Sequence, residues 1–217
     1  MIATPFDASR RVFGGCDLSS TTDLSSFAMV QRRQDRGWNA NWLYWIPEET
    51  LEAAERRDHV PYQQWREAGW LRTCHGRTID HQQVRHDVLE QCVAWDIGQV
   101  GYDPWNTQWL QAQLEEEGIE AIKVSQGMSS LSEPSKHLQA AVAEGTFKHG
   151  RNPIARWMAE NVEVYEDTNR NIRPVKPASN KRIDGIVAAV MAIAVAVLYP
   201  EEEATASQYD EPGGLWL

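Results

Sequence analysis

The sequence has no long hydrophobic run, no paired cysteine motif and no surplus of positive charge. Each absence removes a class of protein. The longest apolar stretch, Ile186 to Leu198, makes about 13 residues, or roughly 20 Å of helix, against roughly 30 Å of hydrocarbon in a bilayer. It therefore predicts a buried helix, not a membrane span. Cys16, Cys74 and Cys92 are widely separated, with no CxxC and no Cys/His zinc spacing. Reduced thiols in a cytosol are expected. The N-terminal MIATPFDASRRVFGG lacks the apolar centre of a secretory signal. A net charge of −10 and a pI near 5.1 exclude a binder that grips nucleic acid through a broadly basic surface. A nucleic-acid enzyme with this balance needs a local basic groove, or cations that offset its carboxylates.

What is present is an ordinary globular composition, 42% hydrophobic and 24% charged over 217 residues. That is enough for one domain with a substantial core. RRVFGGCDLSS and LSSFAMVQRR read as two strands around a polar turn that includes Asp23, and NANWLYWIP as a third, stopped by Pro47. Together they predict an antiparallel meander. PEETLEAAERRD and VPYQQWREAG read as short helices, and His81 to Trp95 as a longer one with Asp80 as its N-cap. From about residue 97 to 126 the pattern is strand, helix, strand, the signature of parallel pairing. SEPSKHLQAAVAEGTF and NPIARWMAENV predict two further helices, and VEVYEDTNRNIRPVK a hairpin, before the apolar helix. The tail EEEATASQYDEPGGLWL is acidic and rich in turn residues. The expected division is a domain over 1–200 and a flexible acidic tail over 201–217.

Three aspartates stand at the ends of predicted elements. Asp17 follows the strand RVFGGC, Asp103 closes QVGY, and Asp184 opens the final helix. Taken singly, Asp184 reads as a helix cap and Asp103 as turn chemistry before Pro104. If the first and the later strand lie side by side, a helix across the sheet can bring Asp184 to the other two. Three carboxylates on rigid elements suit Mg²⁺ or Mn²⁺ and the phosphate chemistry those ions support. The residues alone leave cap, turn and metal ligand open.

The order GGCDLSSTTDLSSFAMV, VGYDPWNTQWLQAQLEEEGI, VSQGMSSLSEPSKHLQAAVAEGTFKHGRNPIARWMAENV and PVKPASNKRIDGIVAAVMAIAVA resembles the nuclease domain of tailed-phage terminase large subunits of the HK97-like group. The resemblance runs from about Gly14 to Leu198. It implies an α/β, RNase H-like fold: a central mixed sheet, an antiparallel meander plus parallel strands, flanked by helices. It also implies Asp17, Asp103 and Asp184 as a catalytic, metal-binding triad for Mg²⁺ or Mn²⁺, as a pair of ions. The implied activity is endonucleolytic cutting of concatemeric viral DNA during genome packaging, in the cytoplasm of an infected bacterial host. Double-stranded DNA, a terminase ATPase domain, a small terminase subunit and a portal are the implied partners, with no membrane. No GxxxxGK[ST] loop occurs in this chain, so it reads as a nuclease domain separated from its motor, with no ATP site.

Lys176, Lys181 and Arg182, just before Asp184, are candidates to hold the DNA backbone, or else form a solvated basic loop. Arg32, Arg33 and Arg36 are expected on a solvated hairpin, His137 and His149 in packing or capping roles. SQGMSSLSEP is read as a Gly/Ser loop whose backbone amides either meet phosphate or are simply solvated, and the tryptophans mainly as core. Two other classes fit an acidic triad less fully: a resolvase or transposase-type enzyme, and a docking module inactive without its ATPase domain.

Overall fold

The computed structural model describes residues 6–19, 24–105, 107–178 and 181–200. Asp23 and the 201–217 tail lie outside them. The expected meander forms from β1 (Val12–Asp17), β2 (Ser25–Arg32) and β3 (Trp38–Pro47), paired antiparallel. Two short strands that the sequence did not announce flank it: β4 (Arg72–Cys74) and β7 (Phe147–Lys148), both parallel to β3. At three and two residues they are too short for an alternation to be visible. On the other side β5 (Gln99–Tyr102) pairs parallel with β1, and β6 (Glu120–Lys123) parallel with β5. The order is β4-β3-β2-β1-β5-β6, a mixed sheet with β1 at the junction of its antiparallel and parallel halves. A separate hairpin, β8 (Glu163–Glu166) with β9 (Ile172–Val175), forms as expected.

Helices cover both faces. One core unites α1 (Leu51–Asp58), α2 (Tyr62–Glu67), α5 (Met128–Ala143), α6 (Pro153–Glu160) and α7 (Asp184–Leu198) with the sheet. A second core lies under α3 (His81–Ala94) and α4 (Gln108–Glu116). Asp80 caps α3, its carboxylate accepting from the Gln82 and Gln83 amides. Asn152 does the same for α6, which opens on Pro153.

Two expectations are corrected. Most of SQGMSSLSEP is not a loop, because α5 begins at Met128 and carries Pro134 inside it. Pro134 has no amide to give the Ser130 carbonyl, but it is buried against the core, and that packing holds the helix through the break. Asp184 is not a cap either. Ile183 occupies the N-cap position with no side-chain cap bond, and Asp184 is the first residue of α7.

The apolar stretch is the central helix. α7 is buried on almost every side, from Asp184 through Ala196. A helix apolar all round belongs inside a core or a membrane. Among the described residues, no helix is long and apolar enough to cross a membrane.

Candidate metal centre

The same three-residue step sets two of the three aspartates. β1 ends Gly15-Cys16-Asp17, and β5 runs through Gly101-Tyr102 into Asp103. The strands are parallel, with Gly15 opposite Gly101 and Cys16 opposite Tyr102, so Asp17 and Asp103 follow together at neighbouring carboxyl ends. Both glycines face α7. A Cβ on Gly15 would stand 2.3 Å from the Ala188 carbonyl oxygen and 2.5 Å from the Ala192 amide. One on Gly101 would meet the Val195 side chain at 2.9 Å and the Met191 carbonyl at 3.0 Å. Alternate strand residues share a face, so Asp17 and Asp103 also point to the α7 side. The helix touches β1 with Ala188 and Ala192 and β5 with Met191 and Val195, while Asp184 stands a turn or more earlier. Its N-terminus therefore overhangs the two strand ends.

The three carboxylates share one field. The Asp17 carboxyl is pushed up to about 8, first by burial and then by the negative charge of Asp184. Lys176 opposes that rise, and Asp103 adds to it. Burial also raises the Asp184 carboxyl, against the pull of Lys176. The Lys176 ammonium lies 3.3 Å from Asp184 Oδ1. Asp184 Oδ2 is buried with no hydrogen-bond partner among the described residues. Asp17 Oδ1 accepts from Gln126 Nε2 at 3.3 Å, and Asp103 Oδ1 from the Trp105 amide at 3.2 Å, a turn contact.

The grouping stops short of a closed ligand set. Among the described residues, no three His, Cys, Asp or Glu side chains already stand as a ready-made cation site. Like charges in a poorly solvated corner hold each other off, and Lys176 supplies the counter-charge at Asp184. The donors fit a hard divalent cation all the same. They are oxygens only, one of them has no partner, and their mutual repulsion is what a cation would relieve.

The basic candidates separate. Lys181 is exposed, three residues before Asp184 in the chain, and Lys176, partly exposed, faces Asp184. Arg182 cannot meet DNA as expected. It is 4% exposed, with its guanidinium Nε 3.6 Å from Asp58 Oδ2 and its carbonyl held by Asn161 Nδ2 at 3.1 Å. It is an internal cation that fixes the approach to α7. Arg32, Arg33 and Arg36 lie at the opposite end of the sheet, where Arg33 pairs with Asp35 and Arg32 stacks over Trp38. His137 packs edge-on to Trp38, and His149 stacks on Phe147.

Comparison with known proteins follows the same outline. The family described as terminase large subunit, endonuclease domain, matches residues 3–199. The chain belongs to that family. This terminase nuclease domain is 27% identical over 194 residues to the terminase large subunit of Enterobacteria phage HK97, covering 88% of this chain and 38% of that protein. It is 29% identical over 209 residues to protein YmfN of Escherichia coli (strain K12), covering 92% of this chain and 46% of that one. It thus spans less than half the length of the curated relatives it matches. The crystal structure of the HK97 bacteriophage large terminase superposes with a TM-score of 0.79 at 28% identity, over 86% of this chain and 40% of that one. The large terminase nuclease of thermophilic phage G20c with bound magnesium shares the fold at 13% identity, with a TM-score of 0.51 over 89% and 85% of the two chains. The terminase nuclease fold is the RNase H-like one, as the resemblance implied.

Sequence reasoning passed over Gln126, Ser26 and Tyr44, all of which belong to this corner. The repeated Gly-x-Asp step at two strand ends was the available signal. Tyr44, inside an aromatic-rich strand, reads as core and carries none.

Proposed function

We propose that this terminase nuclease domain is a divalent-cation-dependent endodeoxyribonuclease that cuts concatemeric viral DNA during genome packaging. The observation that carries the reading is the meeting of Asp17, Asp103 and Asp184 at one end of the sheet, beneath the N-terminus of α7, with Asp184 Oδ2 unpartnered. These three carboxylates would hold a pair of Mg²⁺ or Mn²⁺ ions. The bound magnesium and bound cobalt of two G20c nuclease structures support a divalent ion. Such ions, when bound, supply an activated water and offset charge on the phosphate and the leaving oxygen.

The chain's own residues prepare the site. β1 and β5 fix the spacing of Asp17 and Asp103, and α7 excludes water from one side. Asp17 must give up its proton for the site to take its charged form, and Lys176 favours that loss. Lys181, exposed three residues before Asp184, would hold the DNA backbone, and Lys176 would turn to a phosphate once a cation balances Asp184. The proposed unit is 1–200. Double-stranded DNA is its substrate, and the ATPase domain, small subunit and portal are partners of the full system, all in the cytoplasm of the infected host.

Incubation of the purified chain with supercoiled plasmid and Mn²⁺ tests this. Nicking and linearisation are expected, and both should vanish in Asp17→Ala and Asp184→Ala. A folded chain that binds Mn²⁺ but never cuts would favour a docking module instead. Cutting confined to DNA junctions, or joined ends, would favour a resolvase or transposase-type enzyme.

A further inference from the structure

Asp17, Ser26 and Tyr44 form a row across three strands. Ser26 on β2 is the register partner of Asp17 on β1 and also of Tyr44 on β3. Directly opposed residues of antiparallel strands share a face, so all three side chains stand on the side that α7 covers. Tyr44 reaches furthest. A Cβ added to Gly185 would lie 2.5 Å from its hydroxyl oxygen, which places the phenol against the residue next to Asp184.

Three oxygens in this corner are buried without a hydrogen-bond partner among the described residues: Ser26 Oγ, Tyr44 OH and Asp184 Oδ2. Ser26 and Tyr44 are fully enclosed. An unpaired buried hydroxyl costs about 1–3 kcal/mol. The core needs neither group, because Phe and Ala would fill the same space without that cost. Two such hydroxyls beside an unpaired carboxylate oxygen call for a use outside packing.

We infer that Tyr44 and Ser26 are positioning residues of the carboxylate site: their hydroxyls, unpaired as the chain stands, would donate to Asp184 and Asp17 once those carboxylates hold a divalent cation. The inference rests on the cation reading proposed above. Carboxylates that ligate a metal are themselves hydrogen-bonded from behind, and losing such a partner typically weakens metal affinity about 10–100-fold. Gly185 belongs to the same device, since any larger residue there would drive the phenol away from its post.

The test measures Mn²⁺ binding by electron paramagnetic resonance and thermal melting without added cation, for the wild-type chain, Tyr44→Phe and Ser26→Ala. Each variant should melt at or above the wild-type temperature, because it loses only an unpaired buried hydroxyl. Each should also bind Mn²⁺ about tenfold more weakly or worse. Unchanged Mn²⁺ affinity in both variants overturns the inference. So does a lowered melting temperature, which would make the hydroxyls structural. Failure of the parent reading looks different: the wild-type chain binds no Mn²⁺, or Asp17→Ala binds it as well as wild type, and the inference falls with it.

Discussion

Burial and the charge of Asp184 push the Asp17 carboxyl up, Asp184 is raised with it, and the titration of this pair ties folding to cation binding. The Asp17 carboxyl is pushed up to about 8 in the folded chain and returns to the ordinary carboxylate range on unfolding. Between those values the folded state binds the extra proton, so stability without cation falls as pH rises from about 4 to about 8. A ligand that needs the charged carboxylate behaves in the opposite way. Mn²⁺ affinity should rise by up to about tenfold per pH unit below pH 8 and level off above it. Calorimetric Mn²⁺ titrations at pH 6, 7 and 8, with melting curves at each pH, check both slopes. An affinity flat across that range would refute the proton count. The other residue-scale expectation concerns Trp105, which is 90% exposed two positions past Asp103, whereas Trp38, Trp42 and Trp45 are buried. An open indole two residues from a carboxylate of the proposed site would offer DNA a stacking face worth about 1–3 kcal/mol per base. Trp105→Ala should leave the melting temperature unchanged and weaken binding to frayed or single-stranded DNA by about tenfold or more, read by fluorescence anisotropy.

At the scale of elements, the site depends on how closely α7 lies on the sheet. Gly15→Ala would force a methyl to within 2.3 Å of the Ala188 carbonyl, and backbone cannot yield as a side-chain tip can. The expected loss is about 3 kcal/mol, visible in chemical denaturation, with cleavage falling alongside it. Removing one partner of the enclosed Asp58–Arg182 pair is expected to cost about 3–5 kcal/mol. Asp58→Ala should show it, since Asp58 also accepts from Tyr62 and Arg57 and its side chain is wholly enclosed. Much of this scale was legible in the chain. The meander, the parallel unit, the hairpin and the buried helix each carry a periodicity or a turn signal. Asp17, Asp103 and Asp184 each mark an element's end. β4 and β7 were not legible because their pairing depends on a distant β3. The start of α5 was hidden by Pro134, which local rules place in a helix's first turn and not seven residues into it. The NKR segment looked like one basic patch, but burial splits it, because only tertiary packing reveals that Arg182 answers Asp58.

At the scale of the whole molecule, the charge of −10 opposes DNA at long range. Affinity should therefore depend on cations twice, through the carboxylates and through the general repulsion. DNA binding by this chain is expected to strengthen with millimolar Mg²⁺ and to vary little with monovalent salt, since few phosphates are neutralised by its own lysines and arginines. Electrophoretic mobility shifts across a salt series would expose a larger basic footprint if one exists. The position of α7 has a further consequence, in time. Helix α7 comes after every strand of the sheet, yet it fills the centre of the core and carries Asp184. A ribosome makes the chain from its other end at about 5–20 residues per second. Asp17 and Asp103 are thus made well before Asp184, and until then a nascent chain holds only two of the three acids. The proposed three-carboxylate site is complete only once α7 has been made.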